Sequence, residues 1–186
     1  GASPPIFSVN TNSGCEGLIV SFLDMTPNNP NTFLWDFGDG ETSNLQNPTH
    51  VFDSAGIYDI TLKAGFSNQC ETMIFSPSEI EVFSKPIISF SSDTNTGCSI
   101  PFDVSFSDNT LDASSWIWDF GDGNLSYTQN PSNTYHNVGE FDISLFVTNS
   151  KGCTADSIIP NYMKIDKFPV VNFNATPIVS CAGENI

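Results

Sequence analysis

Apolar and polar residues alternate in several short stretches of the chain. In YDITLKA, the residues Tyr58, Ile60, Leu62 and Ala64 alternate with polar neighbours, and FDISLFV, which begins at Phe141, repeats nearly the same order. Side chains two positions apart lie on the same face of a β-strand. The alternation therefore predicts strands that are buried on one face and exposed on the other.

Two further stretches, FLWDF and WIWDF, carry large aromatic side chains at alternate positions. The side chains predicted to face the core are Phe33, Trp35, Phe37, Trp116, Trp118 and Phe120. More strands are predicted near Phe7, from Val20 to Leu23 and from Ile80 to Phe83, each bounded by Gly, Pro or Asn. Helical periodicity is absent from the pattern. We therefore predict an all-β protein of antiparallel β-sandwiches of the immunoglobulin type.

The chain repeats itself with a period of 83 residues. The segment WDFGDGETSNLQNP, which begins at Trp35, returns as WDFGDGNLSYTQNP from Trp118. Cys15, Cys98 and Cys181 are spaced by the same period. The repeat predicts two complete copies and the beginning of a third.

The predicted domain boundaries follow from this repeat. One β-sandwich domain is expected over residues 1–84, a second over 85–166, and the start of a truncated third repeat over 167–186. The short linker Ser84 to Pro86 contains a proline, which restricts its own φ and the residue before it. We expect the tandem sandwiches to stand end to end as a stiff, monomeric rod, since the two terminal strands of such a sandwich emerge at opposite ends.

The composition excludes several classes of partner. Five Lys and Arg stand against 21 Asp and Glu, which gives a net charge of −16. Such a chain cannot gain the counterion release that drives binding to nucleic acid or to anionic lipid. No run of 18 apolar residues and no leader segment is present, so we expect no direct membrane insertion. Ser, Thr and Asn are abundant and charged residues amount to 14%, which favours a location outside the cell.

The repeated WDFGDG motif has two interpretations. In the first, Trp and Phe fill the core, the glycines Gly38, Gly40, Gly121 and Gly123 supply positive φ angles, and the Asp carboxylates accept hydrogen bonds from turn N–H groups. In the second, the acidic residues Asp36, Asp39, Asp119 and Asp122 are ligands for calcium, which prefers several oxygen atoms. A phosphate site is disfavoured because no Lys follows the glycines.

Several motifs together resemble the PKD domain, a β-sandwich module. They are WDFGDG, the following QNP, and the segments FDSAGIYDITL and YHNVGEFDISL, in which an aromatic residue and a glycine precede an alternating strand. The resemblance covers both full copies. It implies extracellular modules that occur in tandem and serve as spacers, adhesive stalks or accessory domains of secreted enzymes.

The cysteines repeat as one pair per domain. Cys15 and Cys70 return as Cys98 and Cys153, a pattern that fits a disulfide within each domain better than a zinc site. We therefore expect Cys15–Cys70 and Cys98–Cys153 bonds, with Cys181 left over. The cysteine-flanked domains also resemble the variety common in very large surface proteins of Bacteroidetes, including gliding adhesins and cargo of the type IX secretion system.

The resemblance bears on calcium as well. Some PKD modules of secreted collagenases bind calcium and carry an acidic Asp-Gly run in the loop before the Trp strand. This chain has TPNNPNT and TLDASS at those places, so the sequence predicts weak or absent calcium binding and no other cofactor. Neither histidine recurs, because His50 falls opposite Asn133 and His136 opposite Asp53, and both are expected on the surface.

The residues shared by the two copies serve packing and turns, and no nucleophile and base recur together. We therefore predict a protein without enzymatic activity. Together with this prediction, the resemblance implies a stiff stalk or spacer of a large secreted or cell-surface adhesin at the outer surface of a Gram-negative bacterium. Its expected partners are neighbouring repeats of the same polypeptide, surface polysaccharide or other surface proteins. Two alternatives remain: accessory modules of a secreted hydrolase, and modules that bind glycans themselves.

Overall fold

A computed structural model of the chain describes residues 4–67 and 71–168. These residues contain strands and no α-helix, and every strand falls into one of two groups of eight that follow one another along the chain. The first group consists of β1 (Phe7–Val9), β2 (Ser13–Cys15), β3 (Leu18–Asp24), β4 (Thr32–Asp36), β5 (Thr42–Ser43), β6 (Thr49–Phe52), β7 (Gly56–Gly65) and β8 (Glu71–Phe83). The second consists of β9 (Phe90–Ser92), β10 (Thr96–Gly97), β11 (Phe102–Asp108), β12 (Ala113–Asp119), β13 (Leu125–Ser126), β14 (Ser132–Tyr135), β15 (Gly139–Asn149) and β16 (Thr154–Ile165).

Each group forms two sheets that face each other. In the first domain a three-stranded sheet has the order β1-β3-β6 and a five-stranded sheet the order β2-β8-β7-β4-β5. The second domain repeats both orders, with β9-β11-β14 and β10-β16-β15-β12-β13. The predicted all-β, immunoglobulin-like tandem fold is thereby confirmed.

A separate hydrophobic core lies between the two sheets of each domain. Trp35 and Trp118 are completely buried at equivalent positions. Phe7 meets Trp35 edge to face at 5.3 Å between ring centres, and Phe90 meets Trp118 at 5.3 Å in the same way. The predicted inward positions of Phe37 and Phe120 are confirmed, since both are nearly inaccessible to solvent.

Two short strands pair in parallel with the last strand of their domain. Gly14 on β2 lies opposite Val82 near the end of β8, and Gly97 on β10 lies opposite Ile165 at the end of β16. The two pairings have an identical register once the 83-residue period is removed. As a result, residues that follow Gly14 and Gly97 lie at the end of the sandwich from which the chain leaves the domain.

Candidate functional site

The acidic side chains of the WDFGDG motif accept hydrogen bonds from the turn in which they lie. Asp36 Oδ1 accepts from Gly38 N at 3.0 Å, and Asp39 Oδ1 accepts from Glu41 N at 3.0 Å. The second domain repeats both bonds, from Gly121 N to Asp119 at 2.9 Å and from Asn124 N to Asp122 at 3.0 Å. Each carboxylate therefore holds the backbone two residues further along in a turn.

The first glycine of each turn is required by both conformation and space. Gly38 has φ of 79°, and a Cβ atom there would lie 2.5 Å from the carbonyl oxygen of Asp59. Gly121 has φ of 73° and would meet Asp142 O at 2.5 Å. The second glycines, Gly40 and Gly123, also have positive φ but face open space. The turn interpretation thus accounts for the repeated glycines.

In the first domain, Asp39 has a second partner that the sequence did not predict. His50 Nε2 lies 2.6 Å from Asp39 Oδ2, and the His50 ring stacks on Phe37 with 4.1 Å between ring centres. The expectation that His50 is a surface residue is wrong: its side chain is buried because it closes the core beside Phe37. His136 is exposed, as expected.

Burial of Asp39 raises its pKa. The hydrogen bonds from His50 and from the Glu41 backbone, together with the charge of His50, lower the pKa by more than burial raises it. The pKa of Asp39 therefore lies below its usual value. The ionised carboxylate is the form that this site stabilises.

The second domain builds the same site from amides. Asn133, which takes the place of His50, donates from Nδ2 to Asp122 Oδ2 at 2.9 Å, and Asn124 Nδ2 donates to the same oxygen at 3.0 Å. Asn133 is also buried. His50 and Asn133 therefore have the same role although they differ in type, because each donates a hydrogen bond to the turn carboxylate of its own domain.

The core tryptophans are tied to the next loop through their indole nitrogen. Trp35 Nε1 donates to Leu45 O at 3.0 Å, and Trp118 Nε1 donates to Thr128 O at 3.1 Å. These bonds join the strand before the WDFGDG turn to the segment after it. Burial raises the pKa of the Tyr135 hydroxyl above its usual range, and this hydroxyl donates to Phe120 O at 3.2 Å.

The calcium candidates Asp36, Asp39, Asp119 and Asp122 thus all serve as turn acceptors. Within residues 4–67 and 71–168, no group of three or more His, Cys, Asp or Glu side chains is close enough to hold a metal ion. Weak or absent calcium binding stays a prediction. The same residues contain no helix that is long and apolar enough to cross a membrane.

The disulfide of the structure joins the two domains, and the predicted pairing within each domain is wrong. Cys15 is bonded to Cys153, with 5.6 Å between their Cα atoms and a sequence separation of 138. Cys98, the expected partner of Cys153, is a free and exposed thiol. Cys70 and Cys181 lie outside the described residues.

The strand register explains why the pairing within a domain fails. Cys98 directly follows Gly97, which pairs with Ile165 at the end of β16, whereas Cys153 directly precedes Thr154 at its beginning. A strand of 12 residues spans about 40 Å at about 3.3 Å per residue. Disulfides join Cα atoms less than about 7 Å apart, so these two cysteines cannot meet.

The same geometry brings Cys15 and Cys153 together. Cys15 lies opposite Phe83, the last residue of β8, at the end of the first domain from which the chain enters the second. Cys153 lies in the turn between β15 and β16, and its sulfur is 3.9 Å from Phe83 O. The turn of the second domain therefore rests on the exit end of the first.

Polar and aromatic contacts surround the disulfide. The buried Asn149 accepts hydrogen bonds at Oδ1 from Lys151 N and Cys153 N, and its Nδ2 donates to Ser84 O in the linker at 3.0 Å. Lys151 Nζ lies 4.6 Å from the centre of the Phe83 ring. The Asn149 side chain thus shapes the turn and also attaches the turn to the linker.

Glu16 of the first domain also anchors the linker. Its two carboxylate oxygens accept from Ala55 N at 3.3 Å and from Lys85 N at 3.1 Å. Sequence comparison of the copies missed Glu16 and Asn149, because Ser99 and Phe66 stand at the equivalent positions. A pair of domains contains this junction once. Polar residues that differ between the copies are therefore the sequence signal for it.

Comparison with known proteins gives one family. The model described as the PKD domain matches residues 2–82 and again residues 84–164. A stretch of 73 residues is 40% identical to a microbial collagenase of Vibrio alginolyticus and covers 37% of this chain but 9% of the collagenase. The chain therefore spans less than a tenth of that relative.

Two solved structures are also similar to this chain. The PKD1 domain of Vibrio anguillarum Epp is 28% identical, with a TM-score of 0.39, and the match covers 45% of this chain and 95% of that domain. The PKD1 domain of the Vibrio cholerae metalloprotease PrtV is 24% identical, with a TM-score of 0.37, and the match covers 45% of this chain and 99% of that domain.

Proposed function

Because the chain belongs to the PKD domain family, as two PKD domains in tandem, we propose that it is a load-bearing spacer of a larger secreted or cell-surface protein. PKD domains are in general modules without catalytic activity. The observation that carries the proposal is the Cys15–Cys153 disulfide, which fastens the second domain to the first. A spacer needs a junction that resists both bending and tension.

The disulfide changes the path of a pulling force. Tension that enters at the N-terminus reaches Cys15, crosses the bond to Cys153 and continues along β16 towards the C-terminus. The residues between the two cysteines lie in a closed covalent loop and are not extended. Unfolding of either domain therefore adds little length while the bond is intact, which is a useful property for a stalk.

The contacts around the linker resist bending. Each domain holds one end of this short segment, since Asn149 of the second domain donates to Ser84 O and Glu16 of the first accepts from Lys85 N. Pro86 follows directly and restricts the backbone further. Two attachments and one covalent bond at a linker of three residues leave few rotations by which the domains could swing.

Charge and redox state support a place outside the cell. A stable disulfide forms in oxidising compartments, and a net charge of −16 keeps an extended surface protein soluble. We further propose that the parent protein is an adhesin at the outer surface of a Gram-negative bacterium, of the gliding motility type and exported by type IX secretion. This finer assignment is supported by the sequence resemblance of the cysteine-flanked domains.

Small-angle scattering of the oxidised chain tests the spacer proposal. Two sandwiches, each about 40 Å long and placed end to end, give a radius of gyration of about 24 Å. A compact arrangement of 186 residues would give about 16 Å. A measured value near the compact figure would contradict a spacer and favour a binding surface formed between the domains.

One alternative function has direct support from the relatives. The segment that is 40% identical to a microbial collagenase favours accessory modules of a secreted hydrolase. The complete sequence of the parent protein separates the two functions. A series of further PKD copies supports the spacer, and an adjoining catalytic domain supports the accessory module.

Glycan binding by the domains themselves rests on two exposed aromatic side chains. Tyr127 is 67% exposed and Phe146 38% exposed, and each occurs in the second copy alone. Aromatic rings can stack on sugars, so a glycan array at high protein concentration tests this function. Binding that is lost in a Tyr127→Ala or Phe146→Ala variant would support it, and the absence of reproducible binding would exclude it.

A further inference from the structure

The free thiol of Cys98 occupies the same place in the second domain as the bonded Cys15 occupies in the first. Both cysteines follow a glycine in the short strand that pairs in parallel with the last strand. Both parallel pairs also carry the same backbone hydrogen bonds, from Glu81 N to Asn12 O at 2.9 Å and from Lys164 N to Asn95 O at 2.9 Å. The parallel strand pairs at the exit ends of the two domains are therefore built alike.

We propose that Cys98 forms a second disulfide between repeats, with the cysteine in the β15–β16-type turn of a further PKD repeat that follows in the polypeptide. This inference does not depend on whether the repeats serve a stalk or an enzyme. It makes the Cys15–Cys153 bond one member of a regular series in which the exit end of each repeat is bonded to the turn of the next.

The surroundings of Cys98 fit such a partner. Cys98, Asp166 and Lys167 are all exposed at the exit end of the second domain, whereas the equivalent Cys15 is covered by the turn that carries Cys153. Asp166 replaces Phe83 at the position opposite the cysteine. A turn with a Lys at the position of Lys151 would place its ammonium group near a carboxylate, which favours the same mode of contact.

The bond requires an oxidant. The two thiols lose two protons and two electrons as the new S–S bond forms, and a disulfide donor accepts them and is reduced to two thiols. Glutathione disulfide supplies this step in the test below. Exchange begins from the thiolate of one cysteine, and the exposed Cys98 is accessible to the donor.

The test uses the full chain with a second copy of residues 84–166 inserted after Asp166, and the inserted copy carries Cys98→Ser so that the original Cys98 is the one that is read out. This insertion places an Asn149–Cys153 turn after the second domain and restores the linker Ser84 to Pro86 between them. After oxidation with glutathione disulfide, remaining thiols are alkylated and the disulfides are mapped by mass spectrometry of unreduced peptides. The mapping is expected to give Cys15–Cys153 and, in addition, Cys98 bonded to the Cys153 of the inserted copy.

Alkylation gives the quantitative readout. The alkylated fraction of Cys98 should fall at least about tenfold between the original chain and the extended chain. Changing the inserted copy's Cys153 to Ser should restore it, while Cys15–Cys153 reports that the chain is folded. The proposal is overturned if Cys98 stays alkylated in an extended chain that contains the Cys15–Cys153 bond, or if Cys98 pairs with Cys70, Cys181 or a second Cys98.

Discussion

Cys15 and Cys153 are bonded across the junction of two domains, although each has a cysteine closer in sequence within its own domain. The bond exists because β2 pairs with the end of β8, while the turn between β15 and β16 extends from the second domain onto that end. The pairing of the cysteines is therefore determined by the contact between the two consecutive domains, and not by either domain alone. The consequences of this bond are mechanical.

Removal of the disulfide is expected to loosen the junction. On the chain-entropy model a closed loop of 138 residues stabilises the folded pair by about 5 kcal/mol, so the Cys15→Ser/Cys153→Ser variant should unfold at lower temperature. Residual dipolar couplings from the two domains should also fit one common alignment in the oxidised chain and two different ones in the variant. Cys98→Ser is the matched control and should behave as the original chain. Equal alignment of both domains in the double variant would show that Asn149 and Glu16 alone fix the junction.

The Asp39–His50 pair predicts acid sensitivity of the first domain. The folded pKa of Asp39 is lowered, so its stabilising contribution is present above the unfolded value of about 3.9 and is lost as pH falls through the folded pKa. Asp39→Asn should reduce this sensitivity. It should also destabilise the first domain by about 1–2 kcal/mol at pH 7, because His50 loses a charged acceptor.

Hydrogen exchange read by mass spectrometry separates the two domains in this experiment. His50→Asn, which introduces the amide that Asn133 provides in the second domain, should cost less than Asp39→Asn. Exchange rates in the first domain that are unchanged by Asp39→Asn at pH 7 would contradict the role of this pair.

The two glycines in the WDFGDG turn of the second domain, Gly121 and Gly123, are expected to differ in their tolerance of a side chain. Gly121→Ala should destabilise the domain by about 3 kcal/mol, because the new Cβ combines an unfavourable positive φ with overlap on the Asp142 carbonyl oxygen. Gly123→Ala, with positive φ and open space, should cost about 1 kcal/mol. Denaturant unfolding measures both. Equal losses would mean that the close approach at Gly121 relaxes without cost.

Calcium is expected to bind weakly if at all. Asp36, Asp39, Asp119 and Asp122 already accept turn hydrogen bonds, and their spacing provides no cluster of several oxygens. Calorimetry with millimolar calcium should show no saturable site at one ion per domain, and the melting temperature should change little. A tight site at that stoichiometry would reverse the prediction. Loss of such a site in Asp122→Asn would assign it to the turn.

Much of the fold could be predicted from the sequence because it depends on local patterns. Alternation around Ile60 and Leu62 indicates a half-buried strand, and both residues are completely buried in the structure. The Asp-Gly turns follow equally from residue type, since Asp36 and Gly38 have side-chain and backbone properties that few residues share. Both copies repeat these features, so each prediction rests on two observations.

The disulfide pairing and the burial of His50 depend on contacts between distant parts of the chain, which neither the alternation of apolar residues nor the repeat specifies. A repeat of 83 residues is compatible with Cys15 pairing within its copy or with the next copy, and the parallel register of β2 against β8 decides between them. The repeat predicts a surface position for His50, because this histidine does not recur. Its burial follows from its contact with Phe37 and Asp39, and Asn133 makes the equivalent hydrogen bond with different chemistry.

If the Cys15–Cys153 bond carries tension past both domains, single-molecule stretching from the two ends should give a short extension while the bond is intact. In the oxidised chain, only residues 1–15 and 153–186 lie outside the covalent loop, so the total lengthening should stay below about 170 Å at about 3.6 Å per residue. After reduction, or in the Cys15→Ser/Cys153→Ser variant, two successive steps of about 250 Å each are expected as the domains unfold. Steps of that size in the oxidised chain, at forces that leave disulfides intact, would show that tension does not pass through the disulfide.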